Sequence, residues 1–200
     1  MKITLSTLTL TTVMIFAMSV LAHDKVVVVP LGSKVRTVQQ TFTLNLPSSA
    51  FIPGVFQTGD PKIYFNVGNF AYLTQGDLIG GLGAPINLQD GAVITNTTCY
   101  MYDNSTENFT SPNSKFFLWR QGTSSADYEQ ITPTTSCSTS GASVTIQDFS
   151  VPSITYPNID NSQYFYGAYV LLKISAQDPL IHQLRFYGCR ITYTLDVVVP

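Results

Sequence analysis

The chain has 200 residues, with 10 Lys and Arg against 12 Asp and Glu and a formal net charge of −2. Charged residues make up only 11% of it and no basic run occurs. This argues against nucleic acid and anionic membranes as partners, since both demand clustered Lys and Arg. Low charge with abundant Ser, Thr, Asn, Gly and Tyr is instead the makeup of an extracellular β protein of one domain.

Residues 1–22 read as a secretory signal peptide. Lys2 supplies the positive start, residues 8–21 are mostly apolar, and Val20 and Ala22 are small residues at the −3 and −1 positions of a cleavage site. Thr11, Thr12 and Ser19 interrupt the apolar stretch, which makes it a poor permanent anchor. The expected product begins at His23 and is secreted, extracellular or periplasmic, with no membrane insertion after cleavage. Cys99, Cys137 and Cys189 then meet an oxidising compartment, where one disulfide and one leftover thiol are expected. None lies in a CxxC pair, so zinc-ligand spacing is missing and no metal or cofactor is expected.

Beyond residue 22, apolar residues recur at period two rather than 3.6, and Gly, Pro or Asn-Asp clusters interrupt them at short intervals. The pattern predicts strands over residues 26–29, 40–46, 63–72, 92–102, 116–120, 143–149, 164–174 and 184–195. Breakers such as "PSSAFIPG", "TQGDLIGGLGAP", "DNSTENFTSPNS" and "YPNIDNSQ" separate them. This is the pattern of an all-β, antiparallel β-sandwich, jelly-roll-like, following the N-terminal signal peptide. Residues 23–47 form an N-terminal strand or arm, and residues 48–200 the sandwich. In "FYGCRITY", Tyr187, Cys189, Ile191 and Tyr193 share one face, expected to be the core, and Arg190 and Thr192 share the other. "YFYGAYVLLKI" is apolar enough for a central strand covered on both faces.

The stretches "KVVVVPLG", "APINLQDGAVITNTTCYMYDNS", "FFLWR", "PNIDNSQYFYGAYVLL" and "LRFYGCRITY" together resemble a recurrent, uncharacterised β-sandwich domain of secreted bacterial proteins. Its patterns are a KVVVIPLG-like head, LPDGA-x-IT, YYDNS, a Leu-x-Arg strand, VDNS-x-Y and a terminal GVRITY. The likeness spans about residues 48–194 plus the head and rests on the order and spacing of motifs. Gln89 stands where the pattern has proline or a similar residue, and Cys189 where it usually has valine. The resemblance implies fold and secretion, not a mechanism. It also implies that Cys189 fills a core valine site, which leaves Cys99 and Cys137 as the expected disulfide.

Catalytic sets are thin. Glu107 and Glu129 are the only glutamates and both lie in polar, loop-like segments, a poor basis for paired carboxylates across a cleft. The mature chain has two histidines and no GxSxG elbow. "GGLG" at residues 80–83 precedes a proline instead of opening a helix, so it is no nucleotide loop. Asp103 and Asp160, in "YDNS" and "IDNS", could ligate calcium, but Asp and Asn in such places ordinarily close turns. The reading is therefore a non-enzymatic protein, structural or adhesive, at or outside the cell surface.

Two alternatives have named residues. Aromatics on an exposed sheet face stack against sugar rings, and Tyr100, Tyr102, Trp119, Tyr164 and Tyr166 are the candidates for a carbohydrate-binding module. Their competing role is to fill the core, and "FFLWRQ" looks more like core than platform. A histidine-brace copper oxidase is the remoter alternative. It would use an N-terminal His23 with His182 as ligands and Tyr187 as axial neighbour. Finally, "KVVVVP" and "LDVVVP" are short, β-branched terminal strands that could pair with each other or with a second molecule. Glycans and self-association through these strands are the expected partners.

Overall fold

The computed structural model describes residues 36–54, 64–66, 68–73, 78–104, 114–133, 143–151, 153–174 and 184–199. Within them lie β1 (Arg36–Pro47), a 3-10 turn (Ser48–Ala50), β2 (Ile52–Gly54), β3 (Tyr64–Asn66), β4 (Ala71–Leu73), β5 (Leu78–Pro85) and β6 (Val93–Asp103). β7 (Ser114–Gly122), β8 (Tyr128–Gln130), β9 (Ile146–Val151), β10 (Tyr164–Ile174) and β11 (Leu184–Val199) follow. The chain is all-β, in two antiparallel sheets. The first has the order β3-β4-β11-β6-β9, with β1 also paired to β11, and the second β2-β5-β10-β7-β8.

Alternation decides what each strand buries. From the second sheet, Leu82 and Ala84 of β5, Phe116 and Leu118 of β7, and Ala168, Val170 and Leu172 of β10 point inward. From the first come Ile94, Cys99 and Met101 of β6 with Phe186, Cys189 and Ile191 of β11. Together these side chains form one core. Phe51, just after the 3-10 turn, meets Phe186 edge-to-face at 4.8 Å, a favoured aromatic geometry.

β11 departs from its expected phase. Its pairing with β6 slips by a residue between Phe186 and Gly188, so Phe186 enters the core and Tyr187 is turned out of it. Tyr187 lies instead against Phe70, 5.6 Å between ring centres. Cys189 and Ile191 remain buried, and Tyr193 packs at the core's margin. Gly188 makes the slip: its φ is +132°, and a Cβ there would run into the Leu46 carbonyl and Pro47 of β1. Only glycine takes that backbone conformation beside a neighbouring strand without strain.

Three further expectations change. The expected strand over residues 63–72 is a short hairpin, in which Tyr64 pairs with Leu73 and Asn66 with Ala71. "LIGGLGAP", read as a breaker, is β5, fully paired to β10 from Leu78 to Pro85. Last, Cys99 is bonded to Cys189, not to Cys137. The two residues stand directly opposite each other on β6 and β11, both buried, with Cα atoms 4.1 Å apart. Register, not spacing along the chain, brings the sulfurs together. Cys137 lies outside the described residues, as do His23, His182 and the expected strand over residues 26–29.

Candidate functional site: the outer face of the second sheet

β10 is central in its sheet, but its outer side is open. Phe165 is 62% exposed there, while Tyr169 and Leu171 on the same side are half-buried. The uninterrupted apolar run of this strand therefore does not mean burial on both faces. It means a core face and a second, solvent-facing aromatic one.

The register places the neighbours. Phe117 of β7 is opposite Tyr169, Trp119 is opposite Gly167, and Gln121 is opposite Phe165. On β5, Gly83 is opposite Tyr169 and Pro85 is opposite Gly167. On the flanks, Tyr128 of β8 is opposite Gln121 and Ile52 of β2 opposite Gly83. Tyr128 and Ile52 are 59% and 67% exposed.

Glycines let the rings lie down. A Cβ on Gly167 would overlap the Trp119 indole, and one on Gly81 would overlap the Tyr169 phenol ring and hydroxyl. Both rings thus occupy the space that neighbouring side chains would otherwise fill, and both lean from their own strand over the next one towards β5. Phe117 packs beside Tyr169, 4.9 Å between centroids and tilted by 40°. Burial raises the Tyr169 phenol above its ordinary pKa of 10.0, with Tyr128 nearby adding to the shift, so the hydroxyl stays a neutral hydrogen-bonding group at physiological pH.

Trp119 divides two open clefts. One, of about 540 Å³, lies between Ile52 and Pro53 on one side and Phe165 on the other, with Asn87 and Asn161 at its margin. The second, of about 300 Å³, is walled by Phe117, Gln121, Tyr128 and Tyr169. Trp119 and Gly83 line both, and no described residue lining either is charged. Gln121 pins the β7–β8 hairpin over the second cleft, its Nε2 donating to the carbonyls of Ser125 (3.0 Å) and Ala126 (3.3 Å). With its N–H groups so engaged, what the amide retains is an acceptor, Oε1.

Of the five aromatics singled out from the sequence, Trp119, Tyr164 and Tyr166 line the larger cleft and Tyr100 and Tyr102 do not. Trp119 is the centre of this face. Tyr164 lines the larger cleft, and its ring centre lies 4.1 Å from the Arg120 guanidinium, which also lies 3.8 Å from the Tyr156 ring centre and ion-pairs with Glu129. Tyr166 borders the same cleft but is buried, its hydroxyl oxygen accepting the Asp160 N–H at 2.8 Å. Burial raises its pKa, against the lowering effect of that bond. Tyr100 and Tyr102 belong to the other sheet, beside Arg190 and Arg185 respectively. Phe117, Tyr128, Phe165, Tyr169 and Gln121 went unnoticed in the sequence. The signal was there in the strict alternation of "FFLWRQ" and "YFYGAYVLL", where each strand has two apolar faces and only one can be core.

Asp160 closes its turn: its Oδ1 accepts from the backbone N–H and the hydroxyl of Ser162, at 3.0 and 2.6 Å. Among the described residues no three His, Cys, Asp or Glu side chains gather in a way that could hold a metal ion. No protein-family model matches this chain, and no curated protein matches its sequence.

Proposed function

We propose that this chain is a secreted, non-catalytic protein with an adhesive role at or outside the cell surface, and that it adheres by holding glycan on the outer face of its second sheet. One observation carries the reading: Trp119 and Tyr169 are laid across Gly167 and Gly81 on a solvent-facing sheet, with a cleft on either side of the indole. A sugar ring presents a face of C–H groups, weakly positive at hydrogen, to which the negative face of an aromatic ring is attractive. Flat rings held at fixed height bind such faces with little loss of conformational freedom, because each has only two side-chain torsions to fix.

A jelly-roll frame is part of this proposal. Leaving aside the short β2–β4, the strand orders β1-β11-β6-β9 and β5-β10-β7-β8 place successive strands alternately in the two sheets except for the β7–β8 hairpin, the winding of two Greek keys. Export is supported by the signal-like composition of residues 1–22 and fits a Cys99–Cys189 disulfide.

Retention on insoluble polysaccharides tests the function. The protein should be retarded in affinity electrophoresis or pulled down with at least one matrix, and Trp119→Ala should release it while melting cooperatively. Retention undiminished in Trp119→Ala would sink the reading.

Self-association is the second reading, favoured by a separate observation. Past Thr194, β11 pairs with β1 alone among the described residues, so Leu195–Val199 offers an edge to another strand. Size exclusion across a concentration series checks it: a mass that stays that of one chain rejects the idea.

A further inference from the structure

Resting on the glycan reading above, we infer that the ligand is a neutral, linear glycan of at least three consecutive sugar residues, lying along β10 and crossing Tyr169, Trp119 and Phe165 in turn.

Charge comes first. Among the described residues, the two clefts are lined by apolar, aromatic and amide side chains and by glycine and proline, with no Lys, Arg, Asp or Glu. A uronate or sulfate carries a full charge and only accepts hydrogen bonds, so it would lose hydration here and meet no cation among the described lining residues, Arg120 behind Tyr164 being already paired with Glu129. The one amide bordering the smaller cleft, Gln121, spends its N–H groups on Ser125 and Ala126 and presents an acceptor, which a carboxylate cannot satisfy. A hydroxyl both donates and accepts. Neutral sugars match that inventory and acidic ones do not.

Length follows from the sheet. The smaller cleft sits over β7 and the β7–β8 hairpin, the larger over β5 and β2, and Gly83 and Trp119 are common to both. From Tyr169 to Phe165 is four residues of β10, about 13 Å at the rise of an extended strand, more than a disaccharide spans, with Trp119 laid over Gly167 midway. Ile52 of β2 bounds the larger cleft on one edge of the sheet, and Tyr128 of β8 bounds the smaller on the other. With its flanks so bounded, the face runs along β10, and a chain laid on it meets Tyr169, then Trp119 over Gly167, then Phe165.

Isothermal titration of the disulfide-bonded protein decides the matter, with cellohexaose, mannohexaose and xylohexaose as neutral probes, cellobiose, mannobiose and xylobiose as their short counterparts, and hexagalacturonate as the acidic probe. The expected result is binding of a neutral hexaose about tenfold or more tighter than its disaccharide and than hexagalacturonate. Trp119→Ala should weaken that hexaose by about tenfold, and Tyr169→Ala should shrink the advantage of the longer chain. Where Trp119→Ala melts early, Trp119→Phe substitutes for it and should keep intermediate affinity. Hexagalacturonate bound as tightly as a neutral hexaose, or a disaccharide bound as tightly as its hexaose, overturns this inference and leaves glycan binding standing. Silence towards every probe overturns both, as does a dimer that Trp119→Ala dissociates, which would make the face a contact between copies of the chain.

Discussion

Trp119 of β7 stands directly opposite Gly167 of β10 in the sheet register, and its indole rests on that glycine. The pair makes the ring part of the surface instead of a projecting side chain. Gly167→Ala should lift the indole off the sheet, cost about 1–3 kcal/mol by overpacking, and weaken the proposed glycan binding by about tenfold. Trp119 is the chain's only tryptophan, so intrinsic fluorescence reports the displacement directly and urea unfolding reports the cost. Gly83→Ala is the control: its Cβ would lie 4.0 Å from the Ala168 carbonyl oxygen, an ordinary contact, and stability should stay within about 0.5 kcal/mol.

The Cys99–Cys189 bridge spans 90 residues of sequence. Closing so long a loop in the unfolded chain should be worth about 2–5 kcal/mol, which a paired Cys99→Ala, Cys189→Ala variant loses in a urea titration. Non-reducing peptide mapping should recover the two strands' peptides joined, in Cys137→Ala as in the parent chain. A joined Cys99–Cys137 peptide would contradict the register.

Tyr166 and Tyr169 both have phenol pKa values raised by burial above the ordinary 10.0. The native state thus holds these protons more tightly than the unfolded chain. Their contribution is complete below about pH 10 and is lost as pH climbs through the raised values, because the unfolded chain ionises first. The melting temperature should fall from about pH 10 upward. Tyr166→Phe gives up the Asp160 hydrogen bond, at about 0.5–1.5 kcal/mol near neutrality, yet should show a shallower alkaline decline. An equal decline would deny Tyr166 any part in it.

Gly188→Val puts a β-branched side chain at φ +132° against the Leu46 carbonyl. Backbone strain and steric overlap act together, and the expected loss is about 2–4 kcal/mol, or failure to fold in a marginal background. Thermal unfolding against Gly91→Ala, another positive-φ glycine but with open space around it, separates overlap from conformational strain.

Alternation made the long strands readable: the sequence range 164–174 coincides with β10, and β6, β7 and β11 were each found at their cores. β5 was not, because glycine has no side chain to pack and "LIGGLGAP" carries no local sign of a strand. Its glycines make sense only once the Tyr169 side chain, distant in sequence, is seen to lie over Gly81. The slip at Tyr187–Gly188 was hidden for a related reason, since a period-two reading has no place for an extra residue. The site itself was half visible. Trp119 stood out as a candidate, but which of two apolar faces on β7 and β10 looks outward depends on what the other sheet covers, and that is not local information.

The disulfide has a mechanical consequence for the adhesive role proposed above. β11 is held by β1 on one edge and by β6 on the other, and Cys189 ties it covalently to Cys99 of β6. Tension applied to the chain at Val199 and directed along β11 loads both ladders in shear. Tension directed across it peels the β1 pairing first, starting where Arg36 faces Val199. Single-molecule pulling should show a short extension that stops while the bridge is intact and continues once it is reduced. Peeling reaches Cys189 and goes no further, so the first sheet keeps its centre under load and the aromatic face of the second sheet behind it stays shaped.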